Sequence, residues 1–335
     1  MKGRMILSSA PKVLKACLGL RVPLRVSHCI TYRCNLDCGY CSRHNISGGE
    51  LSTGEIKALM KSFRDAGCLF WSFNGGEPLV RQDIAELIDY GKRLGMYVSL
   101  ATNGTLIAER IGEIRNADLV SISIDGPKSI QDEARCASFD RIIEGLSALK
   151  KEGVDTNFGV VVGKHNIGSL DDILKLAQAY DTRVFFQPIR VQKEDKSEKS
   201  RKFFPSKEEM RCVMDHLIEA KMRGAPVASS IRYLRLMKNF WPDGMPDVGC
   251  WAGRVFCFIT PEGYATSCCD TLAYAAGLSE CDAKKNGSKA FWHIPRQNCS
   301  TCYSSIPLET NILMGELLRN PSSLVRHGLL RPILK

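Results

Sequence analysis

No run of about 18 or more uncharged apolar residues occurs in the 335-residue chain, which excludes a transmembrane helix on length grounds. Acidic residues are absent before Asp37, while Lys2, Arg4, Lys12, Lys15, Arg21 and Arg25 precede it, a bias that superficially resembles a targeting peptide. Lys15 interrupts the apolar stretch and no small-residue cleavage site follows, so the segment reads as part of the mature protein. An aromatic RNP-type motif and paired zinc-finger spacing are also missing, and no nucleic-acid partner is expected. The formal charge of +10 still suits a membrane surface, an acidic substrate or a merely basic solvated exterior. There is no long low-complexity tract and no repeat beyond an alternation of strand-like and helical segments.

What is present is ordinary in bulk: 44% hydrophobic and 24% charged residues, enough for one large α/β domain and a smaller module. The fifteen cysteines are not ordinary. They lie in a long chain without a secretory signal and concentrate in two places, which favours metal over disulfides and a reducing, cytoplasmic compartment.

Strand-like runs fall at Arg25–Thr31, Leu69–Phe73, Tyr97–Ala101, Leu119–Ile124, Thr156–Val162 and Arg183–Pro188. Helical patterns run at Thr53–Asp65, Asp83–Leu94, Ala108–Arg115, Phe139–Lys151 and Leu170–Ala179. Ser52 followed by Glu55 matches a capping box, ending the preceding loop near Leu51. Six β/α units predict an α/β fold, a partial (β/α)6 TIM-like barrel, with ligand groups at the C-terminal strand ends. Gln192–Ser200 reads as a linker or mobile loop. Helices follow at Lys207–Met222 and Ser230–Phe240, and Pro242–Pro246 reads as a boundary. The expected organisation is therefore a basic amphipathic segment over 1–24, a barrel over 25–205, bridging helices over 206–247, a cysteine-rich module over 248–307 and a basic helical tail over 308–335, broken at Asn320 and Pro321.

Cys34, Cys38 and Cys41 form C-x3-C-x2-C directly after the first strand, with Tyr40 just before the last cysteine. Three thiolates bind three irons of a cubane and leave the fourth open to a ligand. A structural zinc would want four closed ligands, the fourth from something like His28 or His44. After the second strand comes Asn74-Gly75-Gly76-Glu77-Pro78, whose glycines permit close backbone approach and whose bland alternative is a strand-end turn.

This three-cysteine loop and the Gly75-Gly76-Glu77-Pro78 stretch behind it resemble the radical S-adenosylmethionine (radical SAM) superfamily. The resemblance implies that SAM chelates the fourth iron of a [4Fe–4S] cluster and is cleaved reductively to a 5′-deoxyadenosyl radical that abstracts hydrogen from, or adds to, a substrate. It further implies cofactor-binding roles for Tyr40, Gly75, Gly76, Glu77 and Pro78, with Asn103 at the third strand end. Ser123 and Asp125 would face the SAM ribose and Arg135 would approach its carboxylate, whereas Val162 and Asn166 are weaker adenine-side candidates. A low-potential donor of flavodoxin or ferredoxin type is the implied electron source.

Further on, Cys250, then Gly263-Tyr264-Ala265-Thr266-Ser267-Cys268, then Cys299-Ser300-Thr301-Cys302 resemble the auxiliary-cluster region of SPASM and twitch radical SAM proteins. The resemblance makes Cys250, Cys268, Cys299 and Cys302 ligands of a second [4Fe–4S] cluster, with Pro261-Glu262-Gly263 as a hairpin turn. Cys269 could replace Cys268, zinc could replace the cluster, and Cys257 and Cys281 have no assigned role. No cysteine follows Cys302, so one auxiliary cluster is the economical expectation.

Three functions compete. A lipid, isoprenoid or small metabolite substrate is suggested by Val13, Leu14, Cys17 and Leu18 among basic residues, and by Leu324, Val325, Leu329 and Leu330 near Arg326 and Arg331, stripes that suit the inner membrane surface. The same stripes could pack on the barrel. Maturation of a ribosomally made peptide is the second, although about 24 residues before the first strand leave no room for a leader-binding domain. A non-enzymatic iron–sulfur carrier is the third, disfavoured because a carrier has no use for SAM-binding strand ends. No catalytic acid or base is assigned; Tyr40, His44 and the region Gln187–Lys196 are the segments that could face a substrate.

Overall fold

The structure is a computed structural model and describes residues 11–12, 14–16, 18–190, 198–244, 248–268, 279–295 and 302–319. The chain enters β1 (Arg25–Cys29), crosses a long loop containing a 3-10 turn at Arg43–Asn45, and then alternates helix with strand, except for two successive helices between the fourth and fifth strands. The order is α1 (Thr53–Asp65), β2 (Phe70–Asn74), α2 (Ile84–Arg93), β3 (Tyr97–Thr102), α3 (Ile107–Ile114), β4 (Leu119–Ser123), α4 (Lys128–Ala134), α5 (Phe139–Lys151), β5 (Thr156–Val162), α6 (Leu170–Ala179) and β6 (Arg183–Pro188). Then follow α7 (Lys207–Met222), α8 (Ile231–Phe240), the short strands β7 (Phe256–Ile259) and β8 (Ala265–Thr266), two single-turn helices α9 (Ala283–Asn286) and α10 (Ala290–His293), and α11 (Ser305–Arg319).

All ladders among β1 to β6 are parallel, and the sheet order is β6-β5-β4-β3-β2-β1-β7-β8. This is the partial barrel that six β/α units imply. Helices cover its outer face by the usual spacing: Ile56, Leu59, Met60 and Phe63 of α1 recur at three and four residues and are all buried. The capping box at Ser52 and Glu55 forms in both directions, and Ser206 with Glu209 repeats it at α7.

Two features differ from the expected organisation. The cysteine-rich module is not set apart from the barrel, because β7 pairs in parallel with β1, opposing Val26 to Cys257, and so extends the same sheet. Its hairpin with β8 turns at Pro261-Glu262-Gly263, where Gly263 has φ +99° and donates to the Thr260 carbonyl at 3.0 Å. Second, the segment expected to be a linker, Gln192–Ser200, passes at its end into a 3-10 turn, Glu198–Phe203, whose Phe203 is buried against the barrel mouth; residues 191–197 lie outside the described residues. At the β6 edge, Val227 makes a parallel bridge to Val184, so the bridging helices also lean on the sheet. Among the described residues no helix is long and apolar enough to cross a membrane.

Candidate active site at the C-terminal strand ends

The loop after β1 is clamped at both ends. Arg33 donates to Glu50 through Nε at 2.9 Å and Nη2 at 3.1 Å, Thr31 Oγ1 donates to the same carboxylate, and Arg81 Nη1 reaches it at 3.1 Å. Arg81 also holds Asp83 and the Leu51 carbonyl, so the loop's exit is fixed to the start of α2. Burial alone would raise the Glu50 carboxyl, but Arg33, Thr31 and Arg81 outweigh it and hold it below its ordinary value.

Gly75 and Gly76 pack against this loop. A Cβ on Gly75 would lie 2.3 Å from the Thr31 carbonyl oxygen, and one on Gly76 would lie 2.2 Å from that of Arg33 and 2.5 Å from that of Tyr32. Gly76 N–H donates to Thr31 at 2.8 Å and Glu77 N–H to Arg33 at 2.9 Å. The glycines therefore permit close approach of two backbones as well as exposing their own to the cavity.

Glu77 turns away from the cavity and is fully buried. It accepts from Thr102 Oγ1 at 2.8 Å, Asn103 N–H at 2.6 Å and Leu79 N–H at 3.0 Å, tying the end of β2 to the end of β3. Burial raises its pKa to about 7 against the pull of those donors. Asn103, thus placed, directs Nδ2 to Asn35 at 2.8 Å and toward Cys34 Sγ at 3.9 Å. Leu36 N–H also points to Cys34 Sγ, at 3.5 Å.

Asp125 is the second internal hub. Its carboxylate accepts from Arg135 Nε at 2.7 Å and Nη2 at 3.2 Å, from the Tyr40 hydroxyl and from Val161 N–H at 3.0 Å, with His165 Nε2 at 3.7 Å. Burial works to raise this carboxyl, but Arg135 and the hydrogen bonds prevail and hold it well below the usual range. Tyr40 stacks among His165 and Phe203, with ring centroids 5.6 and 5.4 Å away, and Arg135 sits 5.4 Å over its ring.

One cavity of about 240 Å³ opens at these strand ends. Cys34, Cys38, Cys41, Tyr40, Gly75, Gly76, Asn103, Ser123 and Arg135 line it. Glu77, Pro78 and Asp125 do not; they stand behind the lining, and Asp125 is wholly withdrawn to Arg135 and Tyr40 instead of facing the space beside Ser123. Val161 lines the cavity where Val162 was the weaker candidate, because alternate strand residues face opposite sides and Val162 points into the core. Asn166 is buried and braces the loop through the Asp125 and Val161 carbonyls, at 2.8 and 3.0 Å. His44, Gln187, Pro188, Ile189 and Arg190 also line the space, as does Arg43, which the motif spacing did not single out. His165 and Phe203 carried no sequence signal: each is brought to Tyr40 only by tertiary packing.

The donor set fits an iron–sulfur cubane. Three thiols from one loop line one cavity; of the two histidines considered for a zinc site, His28 is fully buried between Trp71 and Phe73, while His44 lines the cavity with its Nε2 3.1 Å from Asp37. Burial pushes the Cys38 thiol up to about 12 and raises that of Cys34, so binding iron as thiolates must offset that desolvation. Of the second cysteine set, Cys250 is exposed before β7, Cys268 follows β8 and Cys302 precedes α11, while Cys299 and Cys269 lie outside the described residues. Cys257 is fully buried within β7, and burial raises its thiol well above its ordinary value.

Residues 29–177 match the family model described as the Radical SAM superfamily. An AdoMet-dependent heme synthase of Oleidesulfovibrio alaskensis is 30% identical over 264 residues, spanning 71% of this chain and 68% of that protein. A mycofactocin maturase, MftC, of Mycobacterium ulcerans is 30% identical over 260 residues, spanning 75% and 69%. In fold, the chain is similar to Streptococcus suis SuiB bound to the precursor peptide SuiA, with a TM-score of 0.66 at 17% identity over 84% of this chain and 67% of that one. It is also similar to anSMEcpe with bound AdoMet, with a TM-score of 0.61 at 20% identity over 82% and 78%.

Proposed function

From a chain that belongs to the radical SAM superfamily, and is thus an enzyme using SAM and a [4Fe–4S] cluster, we propose the following reading: Cys34, Cys38 and Cys41 hold that cluster, and the reaction abstracts hydrogen from a peptide substrate bound in the same cavity. The cluster, when bound, supplies the electron that cleaves SAM into methionine and the 5′-deoxyadenosyl radical. The observation that carries this reading is the convergence of nine motif residues on one cavity at the ends of β1 to β4.

The chain's own groups have separable tasks. Asn103 and the Leu36 N–H point toward Cys34 Sγ, which favours the thiolate and tunes the potential of what it binds. Gly75 and Gly76 offer backbone to the SAM amino group, Ser123 offers a hydroxyl to the ribose, and Arg135 offers a guanidinium edge to the carboxylate. Glu77, Pro78 and Asp125 position these groups from behind. Cys250, Cys268, Cys299 and Cys302 would hold the auxiliary cluster, and a flavodoxin- or ferredoxin-type protein would deliver the electron. Peptide maturation is supported by the similarity to MftC.

The test is an anaerobic assay of reconstituted, dithionite-reduced protein. It is expected to form 5′-deoxyadenosine and methionine, and the Cys38→Ala variant to form neither. Failure of the fully loaded wild type to cleave SAM would overturn the reading and restore the iron–sulfur carrier alternative.

One observation favours a lipid substrate as a second reading. Leu14, Leu18 and Leu20 are 57%, 72% and 54% exposed, although Ala16 between them is buried. Arg21 does not join this surface, since it donates to the carbonyls of Gly253, Phe291 and Trp292. The other stripe, Leu324 to Leu330, lies outside the described residues. Co-sedimentation with phosphatidylglycerol vesicles tests this reading, which fails if Leu14→Ser and Leu18→Ser leave binding unchanged.

A further inference from the structure

Asn74, Ala101, Ser123, Val161 and Gln187 line the cavity, one from each of β2 to β6. Side chains two positions apart on a strand share a face, so the next layer down the barrel axis consists of Ser72, Ser99, Ser121, Gly159 and Phe185. A closed barrel fills such a layer with bulky branched residues. Here three of the five are serines and one has no side chain. The residues on the opposite face are sealed against the helices: Phe73, Leu100, Ile122 and Val160 are at most 1% exposed. Ser99, Ser121 and Gly159 are only half-buried, although β3, β4 and β5 are each paired on both sides. Their accessible surface therefore opens into the barrel interior, beneath the cavity.

Two further observations show what this space would hold. A Cβ on Gly159 would meet nothing closer than Ser121 Oγ at 3.8 Å, an ordinary contact, so unfilled space lies beside that hydroxyl. Asn157, two residues before Gly159 on the same face and in register with Ser121, is 8% exposed, and its Oδ1 is buried with no hydrogen-bond partner. A buried amide oxygen left without a donor is unfavourable, and a ligand that supplies the donor relieves the penalty. The Phe70 and Tyr97 rings, 5.8 Å apart and two positions before Ser72 and Ser99, continue the same face as an apolar floor. The serine layer has no ionisable side chain. Charges on this face come a layer lower and at the flanks, with Arg25 at the start of β1 and the exposed Arg183 at the start of β6.

We propose that Ser99, Ser121 and Asn157 form a subsite below the cavity that takes an uncharged carboxamide side chain of the substrate. This rests on the peptide reading above and deepens it, because it names the kind of side chain that the peptide presents. A carboxamide carries both complements: its NH2 donates to Asn157 Oδ1, and its oxygen accepts from a serine hydroxyl.

The probes are three N-acetyl-Ala-X-Ala-amide peptides with glutamine, leucine or glutamate at X. Each is titrated calorimetrically into reconstituted, oxidised holoenzyme saturated with SAM. The glutamine peptide is expected to bind at least about fivefold more tightly than the leucine peptide, as two net hydrogen bonds allow. In the Ser121→Ala/Asn157→Leu double variant that preference is expected to fall below about twofold. Gly159→Val, which fills the space beside Ser121, is expected to weaken the glutamine peptide by about tenfold or more. Equal affinities for glutamine and leucine, or no saturable binding of any peptide up to about 10 mM, overturn the proposal. A preference for glutamate over glutamine also overturns it, since the occupant would then be an anion directed to the flanking arginines. So does a glutamine preference that survives in the double variant, an unchanged affinity in Gly159→Val, or a loss of SAM affinity in either variant as large as the loss for the peptide. Failure of the underlying reading shows separately, as wild-type holoenzyme that neither binds nor cleaves SAM.

Discussion

Arg135 and Asp125 form a buried ion pair, with Nε to Oδ2 at 2.7 Å and Nη2 to Oδ1 at 3.2 Å, where the cysteine loop, the end of β4 and the end of β5 meet. Because Tyr40 donates to the same carboxylate from between Cys38 and Cys41, the pair is one of the points at which the loop is fastened to the barrel.

Breaking the pair from one side should therefore cost both stability and loop order. Asp125→Asn leaves the Arg135 charge buried with a neutral neighbour, which typically costs about 3–5 kcal/mol. Urea unfolding of the holoenzyme measures this. The Asp125→Asn/Arg135→Gln double variant is expected to recover part of the loss, since it strands no charge. A single variant within about 0.5 kcal/mol of wild type would show that the pair carries no such load.

The exposed side of this arrangement was legible in the sequence and its inner side was not. The strands Thr156–Val162 and Arg183–Pro188 and the helices Thr53–Asp65 and Phe139–Lys151 fall where periodicity and capping put them, because one face of each is apolar and the other polar. Motif spacing identified Cys34, Cys38, Cys41, Gly75, Gly76 and Ser123, which all reach the cavity. It could not tell that Asp125 faces inward. Two residues apart on a strand share a side, but Asp125 lies beyond the end of β4, where Arg135 and Tyr40 determine its orientation. Nor could spacing show that β7 joins β1, since that pairing links residues more than two hundred positions apart.

Gly76→Ala tests whether the strand-end glycines serve backbone packing. The added methyl would meet two carbonyl oxygens of the cysteine loop at 2.2 and 2.5 Å, and neither is the end of a flexible side chain. The loop must shift, so reconstituted iron content should fall by at least about half while the far-ultraviolet circular dichroism is retained. Gly112→Ala in α3, where nothing lies within 4 Å, is the control and should keep full iron content. Equal iron content in both variants would contradict the packing role.

Glu77 predicts a pH dependence. Its folded-state pKa is raised to about 7 from an ordinary 4.5, so folding takes up a proton between those values. The sign follows: its contribution is fully favourable below 4.5, declines as pH rises through 7, and then stays constant. At about 1.4 kcal/mol per unit the decline is on the order of 3 kcal/mol. Chemical denaturation between about pH 5.5 and 8 should show a stability decrement in the wild type that is smaller in Glu77→Gln, whatever the absolute stability of the variant. Parallel profiles for the two proteins would show that Glu77 is ionised throughout.

The cysteines of the C-terminal part allow an assignment by iron count. Cys257 sits in β7 opposite Val26, fully buried, with its thiol pushed well above its ordinary value, so it has the surroundings of a small apolar side chain. Cys302 is only partly buried and precedes α11, three residues before Ser305, whose N–H holds the cavity-lining Gln187. If Cys302 is an auxiliary-cluster ligand, Cys302→Ala should lower iron from about eight to about four atoms per chain. Cys257→Ala should keep about eight and cost on the order of 1 kcal/mol, the price of a small cavity. Reduction of SAM cleavage should be larger for Cys38→Ala than for Cys302→Ala, because only Cys38 belongs to the loop that lines the cavity. The reverse iron pattern, with loss in Cys257→Ala and none in Cys302→Ala, would move the second cluster into the sheet and refute the assignment.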